Sequence, residues 1–171
     1  LGGCAVLLAA DGALAALIPI SVERRVLART SFSSQGGGSS SDEVTETSAT
    51  FDPFHEMVSI GGFGRGEATQ DSDISVSGIA AEGFVYGRTS IRISESERGR
   101  GESYMDVQFE LTSAGVLAGE LVRSFGGFPG VTATLNFSLT GTGDTSYSFV
   151  RTLNQPDTLT WSGVAVPAGT Y

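Results

Sequence analysis

The sequence predicts an all-β fold: a two-sheet antiparallel sandwich, jelly-roll-like, with about eight or nine strands. Three observations predict it. First, polar and apolar residues alternate strictly. Met105, Val107, Phe109 and Leu111 share one parity against Asp106, Gln108 and Glu110; Val131, Ala133, Leu135, Phe137 and Leu139 share one against Thr132, Thr134, Asn136 and Ser138. A period of two gives each segment one buried and one wet face. Second, turn chemistry separates the segments at Gly61-Gly62, Gly99-Arg100-Gly101, Gly126-Gly127, Gly141-Thr142-Gly143-Asp144 and Asn154-Gln155-Pro156-Asp157. Third, no helical segment lies between the strands, which excludes parallel βαβ connections.

The chain opens Leu1-Gly2-Gly3-Cys4-Ala5-Val6-Leu7-Leu8-Ala9-Ala10. This run is short for a membrane span, which needs about 20 apolar residues. Residues 1–15 read first as the remnant of an export signal, with Ala13-Leu14-Ala15 as a small-x-small cleavage site. Two alternatives stay open: a buried N-terminal element, and an acylation box around Cys4. Residues 16–44 follow as an N-terminal strand and a flexible loop. Leu14, Leu17, Ile18 and Val22 could form a helical stripe, but Pro19 interrupts it; Val22, Arg24, Val26 and Ala28 share strand parity, so a strand is expected over about 24–33. Ser33 to Glu43, rich in Ser and Gly, reads as the clearest loop.

The sandwich domain is expected over 45–171. Its strands are expected at 45–59, 67–77, 79–94, 103–112, 117–124, 131–140, 146–153 and 158–164. Tyr147, Phe149, Trp161, Phe109, Phe137 and Leu135 are the candidate core. Gly64-Arg65-Gly66-Glu67 and Gly99-Arg100-Gly101-Glu102 echo each other, a similarity attributed to turn chemistry preceding a strand. The last residues, Val166-Pro167-Ala168-Gly169-Thr170-Tyr171, turn the chain back into what reads as the start of another strand. The sequence thus reads as truncated at both ends, with a C-terminal strand missing.

Composition bounds the function. A length of 171 residues suits one β domain. The 24 glycines, about twice the average share, favour a turn-rich fold, and the alternating apolar residues argue against disorder. Net charge is −9, which makes nucleic acid and anionic membranes poor partners. The ten basic residues are all Arg, for which the codon usage of a GC-rich genome accounts. Cys4 is the only cysteine, so no disulfide framework or thiolate metal site is expected within the chain.

The order of these pieces resembles a family of secreted bacterial β-sandwich proteins carrying PEP-CTERM-type sorting tails. The resemblance rests on the Arg24-Arg25-Val26 strand, the Ser/Gly/Asp loop and Phe51-Asp52-Pro53-Phe54. It continues through Ala68, Gln70, Ser72 and Ile74, the alternating strand Tyr104 to Leu111, and a closing Gly169-Thr170-Tyr171. It implies export and surface or matrix retention, and implies no reaction.

The chemistry-bearing residues are sparse. Asp71 and Asp73, flanking Ser72, are the candidate metal ligands, because two carboxylates at i, i+2 can chelate Ca²⁺. Ca²⁺ needs six to eight oxygens, and a solvated strand face is the competing reading. His55 stands alone, short of the three or four ligands of a zinc site. It would also be the sole base for a Ser-His-Asp arrangement, and no Gly-x-Ser-x-Gly elbow is present. Gly61-Gly62-Phe63-Gly64-Arg65-Gly66 lacks the Lys-Ser/Thr of a phosphate loop and precedes a strand. Asp106, Glu110, Glu67 and Glu82 would serve a glycosidase only by converging across a sheet. Phe125 and Phe128 are candidate glycan contacts in a loop, with Trp161 or Tyr104 as a platform if outward facing. The expected function is therefore an exported, extracytoplasmic, non-catalytic domain with a structural or surface/matrix role. Extracellular polysaccharide or cell-surface matrix would be the partner, with no cofactor, no nucleic acid and no integral membrane span. A carbohydrate-binding module is the alternative, and a carboxylate hydrolase the third reading.

Overall fold

A computed structural model describes residues 2–10, 16–61, 64–92, 95–123 and 134–171. Among them there is no helix, and antiparallel sheets of 6 and 4 strands form a sandwich-like arrangement. The strands are β1 (Gly2–Ala10), β2 (Leu17–Ser34), β3 (Ser39–Ser48), β4 (Phe54–Ile60), β5 (Arg65–Ser75) and β6 (Gly78–Arg92). They continue with β7 (Glu95–Leu111), β8 (Gly115–Arg123), β9 (Leu135–Thr140), β10 (Ser148–Leu153), β11 (Asp157–Val166) and β12 (Gly169–Thr170). The described residues thus hold twelve strands where eight or nine were expected. The excess comes from β1, from β3 and β4 replacing one long strand, and from the two-residue β12.

The first sheet runs β11-β8-β1-β6-β5-β4, and the second runs β3-β2-β7-β12. β6 and β7 join them, pairing from Thr89↔Arg98 to Arg92↔Glu95. The β9–β10 hairpin forms a separate two-stranded sheet.

The opening run forms the strand β1. Gly2–Ala10 pairs along its length with β6 on one side and β8 on the other. Leu8 is buried, while Leu7 points outward. Residues 11–15, which hold the expected cleavage site Ala13-Leu14-Ala15, lie outside the described residues.

Four expectations about strands and turns are corrected. The loop expected over 33–43 shrinks to 35–38, with Gly37 at φ 93°, because Ser39–Ser48 pairs with β2 as an exposed strand. The strand expected over 45–59 is interrupted by Phe51-Asp52-Pro53 before β4 starts at Phe54. Gly99-Arg100-Gly101 is no turn but the middle of β7. β2 also starts earlier than expected: Pro19, which has no N–H to donate, sits at an irregularity between Pro19 and Ser21 in its pairing with β7.

The main core gathers Leu8, Leu17, Val22, Phe109, Leu111, Leu117, Leu121 and Trp161 with Leu135, Leu139, Phe149 and Leu153 of the hairpin. Trp161 stacks on Phe137 at 5.5 Å between centroids, and Phe109 on Tyr171 at 5.4 Å. Of the candidate core, Phe109, Leu135, Phe149 and Trp161 are buried, and Phe137 and Tyr147 pack against them half-buried. A second, smaller cluster of Val26, Ala28, Phe54, Val58 and Ala68 fills the other end.

Between β5–β6 and β7 the sheets meet through glycine. A Cβ on Gly64 would lie 2.8 Å from the Arg98 carbonyl, and one on Gly66, Gly99 or Gly101 would overlap a backbone carbonyl of the facing strand. The two Gly-Arg-Gly-Glu segments are therefore facing strands, each turning alternate glycines inward. Their Arg and Glu point out on opposite faces, where Arg65–Glu67 pair at 2.8 Å and Arg100–Glu102 at 2.9 Å.

Candidate functional site

Outward positions on the first sheet follow its register. His55, Asp71, Glu82, Ala5, Glu120 and Thr160 fall in one row across β4, β5, β6, β1, β8 and β11. The adjacent row holds Asp73, Ala80, Leu7 and Ala118. Alanines from three strands lower the floor, leaving an open trough of about 420 Å³ between the carboxylates. His55 Nδ1 lies 2.7 Å from Asp71 Oδ1, both side chains being well exposed, which limits the pair to a small contribution.

Asp71 and Asp73 thus sit mid-strand on β5 with both carboxylates outward, while Ser72 between them is buried. No group of three His, Cys, Asp or Glu side chains fit to hold a metal ion occurs among the described residues. Phe125 and Phe128 lie outside the described residues. Trp161 is buried in the core and offers no platform, whereas Tyr104 is 40% exposed on β7. The hydrolase carboxylates do not converge: Glu67 and Glu82 point out from the first sheet, Asp106 and Glu110 from the second. Cys4, half-buried in β1, has its thiol pushed up to about 11 by burial, so it is protonated at neutral pH and a poor nucleophile.

The second sheet presents a different face. Its outward rows are Ser41–Ser31–Arg98, Glu43–Arg29–Arg100, Thr45–Leu27–Glu102 and Thr47–Arg25–Tyr104 across β3, β2 and β7. Arg25 pairs with Glu102 and lies over the Tyr104 ring at 5.7 Å. Burial raises the Tyr104 hydroxyl above its ordinary value, with Asp106 and Glu23 adding to the shift and Arg25 opposing it. Arg29 faces Arg100 directly across the ladder.

Sequence reasoning missed the buried Arg24. It is fully buried in β2 and donates to Ser72 Oγ at 3.2 Å, Ser48 Oγ at 3.4 Å, the Asp52 carbonyl at 2.7 Å and the Thr50 carbonyl. Its guanidinium lies 5.1 Å from the Phe54 ring centroid. Burial lowers its pKa, and Asp52 opposes the shift. The group ties both sheets to the β3–β4 connection. The signal was present in its parity, since Arg24 alternates in step with Val22, Val26 and Ala28.

No protein-family model, no curated protein and no solved structure matches this chain.

Proposed function

We propose that this chain is an exported, non-catalytic β-sandwich domain with a structural or surface/matrix-interaction role. The observation that carries it is the distribution of polar chemistry. Among the described residues, ionisable side chains are spread over two broad outer sheet faces, whereas the interior is aromatic and aliphatic apart from groups such as Arg24. Catalysis needs a nucleophile or base held within hydrogen-bond reach of a partner in a water-excluding site. His55 and Asp71 instead meet on an open surface. Broad, open sheet faces of this kind suit contact with extended partners. The resemblance to exported proteins with sorting tails supports the location. Fractionation of cells carrying the native gene tests it: the protein is expected outside the cytoplasm, and exclusive recovery from the cytosol overturns the proposal.

A second reading, a carbohydrate-binding module, is favoured by the exposed Tyr104 on the three-stranded face of β3, β2 and β7.

A further inference from the structure

The geometry points to the outer face of β3, β2 and β7 as a binding surface for an extended, carboxylated polysaccharide, held by Arg29, Arg98 and Arg100. This inference rests on the surface-interaction reading and names its partner chemistry. Arg29 and Arg100 occupy directly opposed positions, and Arg98 lies two residues before Arg100 on the same outward parity of β7. Like charges directly opposed in a sheet disfavour the fold, so an anion bridging them relieves a cost already present. Arg29 and Arg98 form no ion pair with a described residue. Among the described residues Arg100 is paired to Glu102, which Arg25 shares, and keeps 70% of its side chain accessible.

The shape selects a polymer. The face is an open sheet surface with exposed rows, whereas a small anion needs enclosure to be held. Successive outward rows step along the strands by about 7 Å, so charges and hydroxyls repeat along a line as sugar substituents do. Ser31, Ser41, Thr45 and Thr47 supply those hydroxyls beside the guanidinium groups. Charge density selects among polymers. Glu43 and Glu102 stand among the arginines, and Glu23 and Asp106 lie further along the same face. They would repel nucleic acid, which carries a charge about every 1.7 Å of duplex. A polyuronate carries one carboxylate per ring and can place each against an Arg fork, which matches carboxylate geometry. The net charge of −9 opposes approach at long range, but screening over about 8 Å leaves the local patch to decide at contact.

Affinity electrophoresis of the full chain through gels containing polygalacturonate tests the inference. Methyl-esterified pectin, single-stranded DNA and anionic phosphatidylserine vesicles serve as comparison probes. The wild type should be retarded by polygalacturonate at low salt and released as salt rises. Arg29→Gln/Arg98→Gln should bind about tenfold more weakly or worse, given the strength of charged hydrogen bonds, with its melting temperature unchanged or raised. Arg65→Gln/Arg88→Gln removes the other directly opposed arginine pair, on the first sheet, where the next row holds Ser59, Glu67 and Tyr86 instead of a third Arg, and should keep its retardation. Equal loss in both variants, or no retardation of the folded wild type, overturns the proposal. Tighter binding to DNA or vesicles overturns it in favour of those partners. Equal retardation by the esterified polymer overturns the charge assignment while leaving the surface-interaction reading standing. Recovery of the protein from the cytosol alone would instead sink that reading and leave the affinity result intact.

Discussion

Replacing Gly99 by Ala tests the glycine contact between the sheets. The new Cβ would overlap the Arg65 backbone carbonyl, with the Arg65 amide nitrogen 2.8 Å away. A flexible side chain could swing aside; a strand backbone held by β4 and β6 cannot, so the sheets must separate. Overpacking of this kind costs about 1–3 kcal/mol. A rigid neighbour puts Gly99→Ala towards the upper end, less the roughly 0.5–1 kcal/mol by which Ala is preferred to Gly inside a strand. A net loss of about 2 kcal/mol corresponds to about 4–8 °C in a domain of this size. Gly38→Ala is the control, since its Cβ would meet nothing within 4 Å. Gly99→Ala/Gly101→Ala should lose less than the sum of its parts, because one separation of the sheets relieves both overlaps. Thermal and urea unfolding of these variants and of Gly101→Ala reads this out. A Gly99→Ala melting temperature equal to that of Gly38→Ala would refute the close approach.

Arg24→Met should destabilise the fold by about 2–4 kcal/mol, since it strips a donor from the Thr50 and Asp52 carbonyls. Faster proteolysis between Ser48 and Phe54 is the accompanying readout; unchanged cleavage with unchanged stability would remove Arg24 from its tying role. Gln70→Met should raise stability by about 1–2 kcal/mol, because Gln70 is 3% exposed and neither amide atom has a partner among the described residues; a fall in the unfolding midpoint would speak against that burial. Stability should also decline as pH rises from about 9 to about 11. The Cys4 thiol, raised by burial from 9.0 to about 11, favours the fold fully below pH 9, and that contribution is lost as pH passes through the folded value. Cys4→Ala should flatten this decline, leaving the effects of Tyr104 and Tyr171, whose hydroxyls burial raises in the same direction; an identical alkaline profile would contradict it.

The alternating strands were legible because each has one dry face. Met105, Val107, Phe109 and Leu111 point to the core as their parity requires. β1 was not legible in that way. Its run from Ala5 to Ala10 is apolar at every position, since its outward residues, Ala5 and Leu7, floor the trough, and such a run reads equally as an export signal. β3 carried the opposite ambiguity: nearly all its side chains are exposed, so only backbone pairing with β2 makes it a strand. Alternate glycines were read as turns because glycine usually punctuates, but their spacing of two, in step with outward Arg and Glu, is the mark of a strand pressed against another backbone. The candidate surfaces depend on register across three to six strands, which composition and periodicity do not supply. The acidic row from His55 to Glu120 and the arginine face could therefore be found only from the pairing.

The outer face of the first sheet exists as described only if the opening run is an integral strand, with β6 and β8 held on either side of it. Hydrogen exchange of the folded chain measures this directly. Amides of Val6, Leu7 and Leu8 should exchange as slowly as those of Leu117 and Leu121 in β8, and only through global unfolding. Exchange of β1 within seconds, while β6 and β8 remain protected, would show that the first sheet is not built around it.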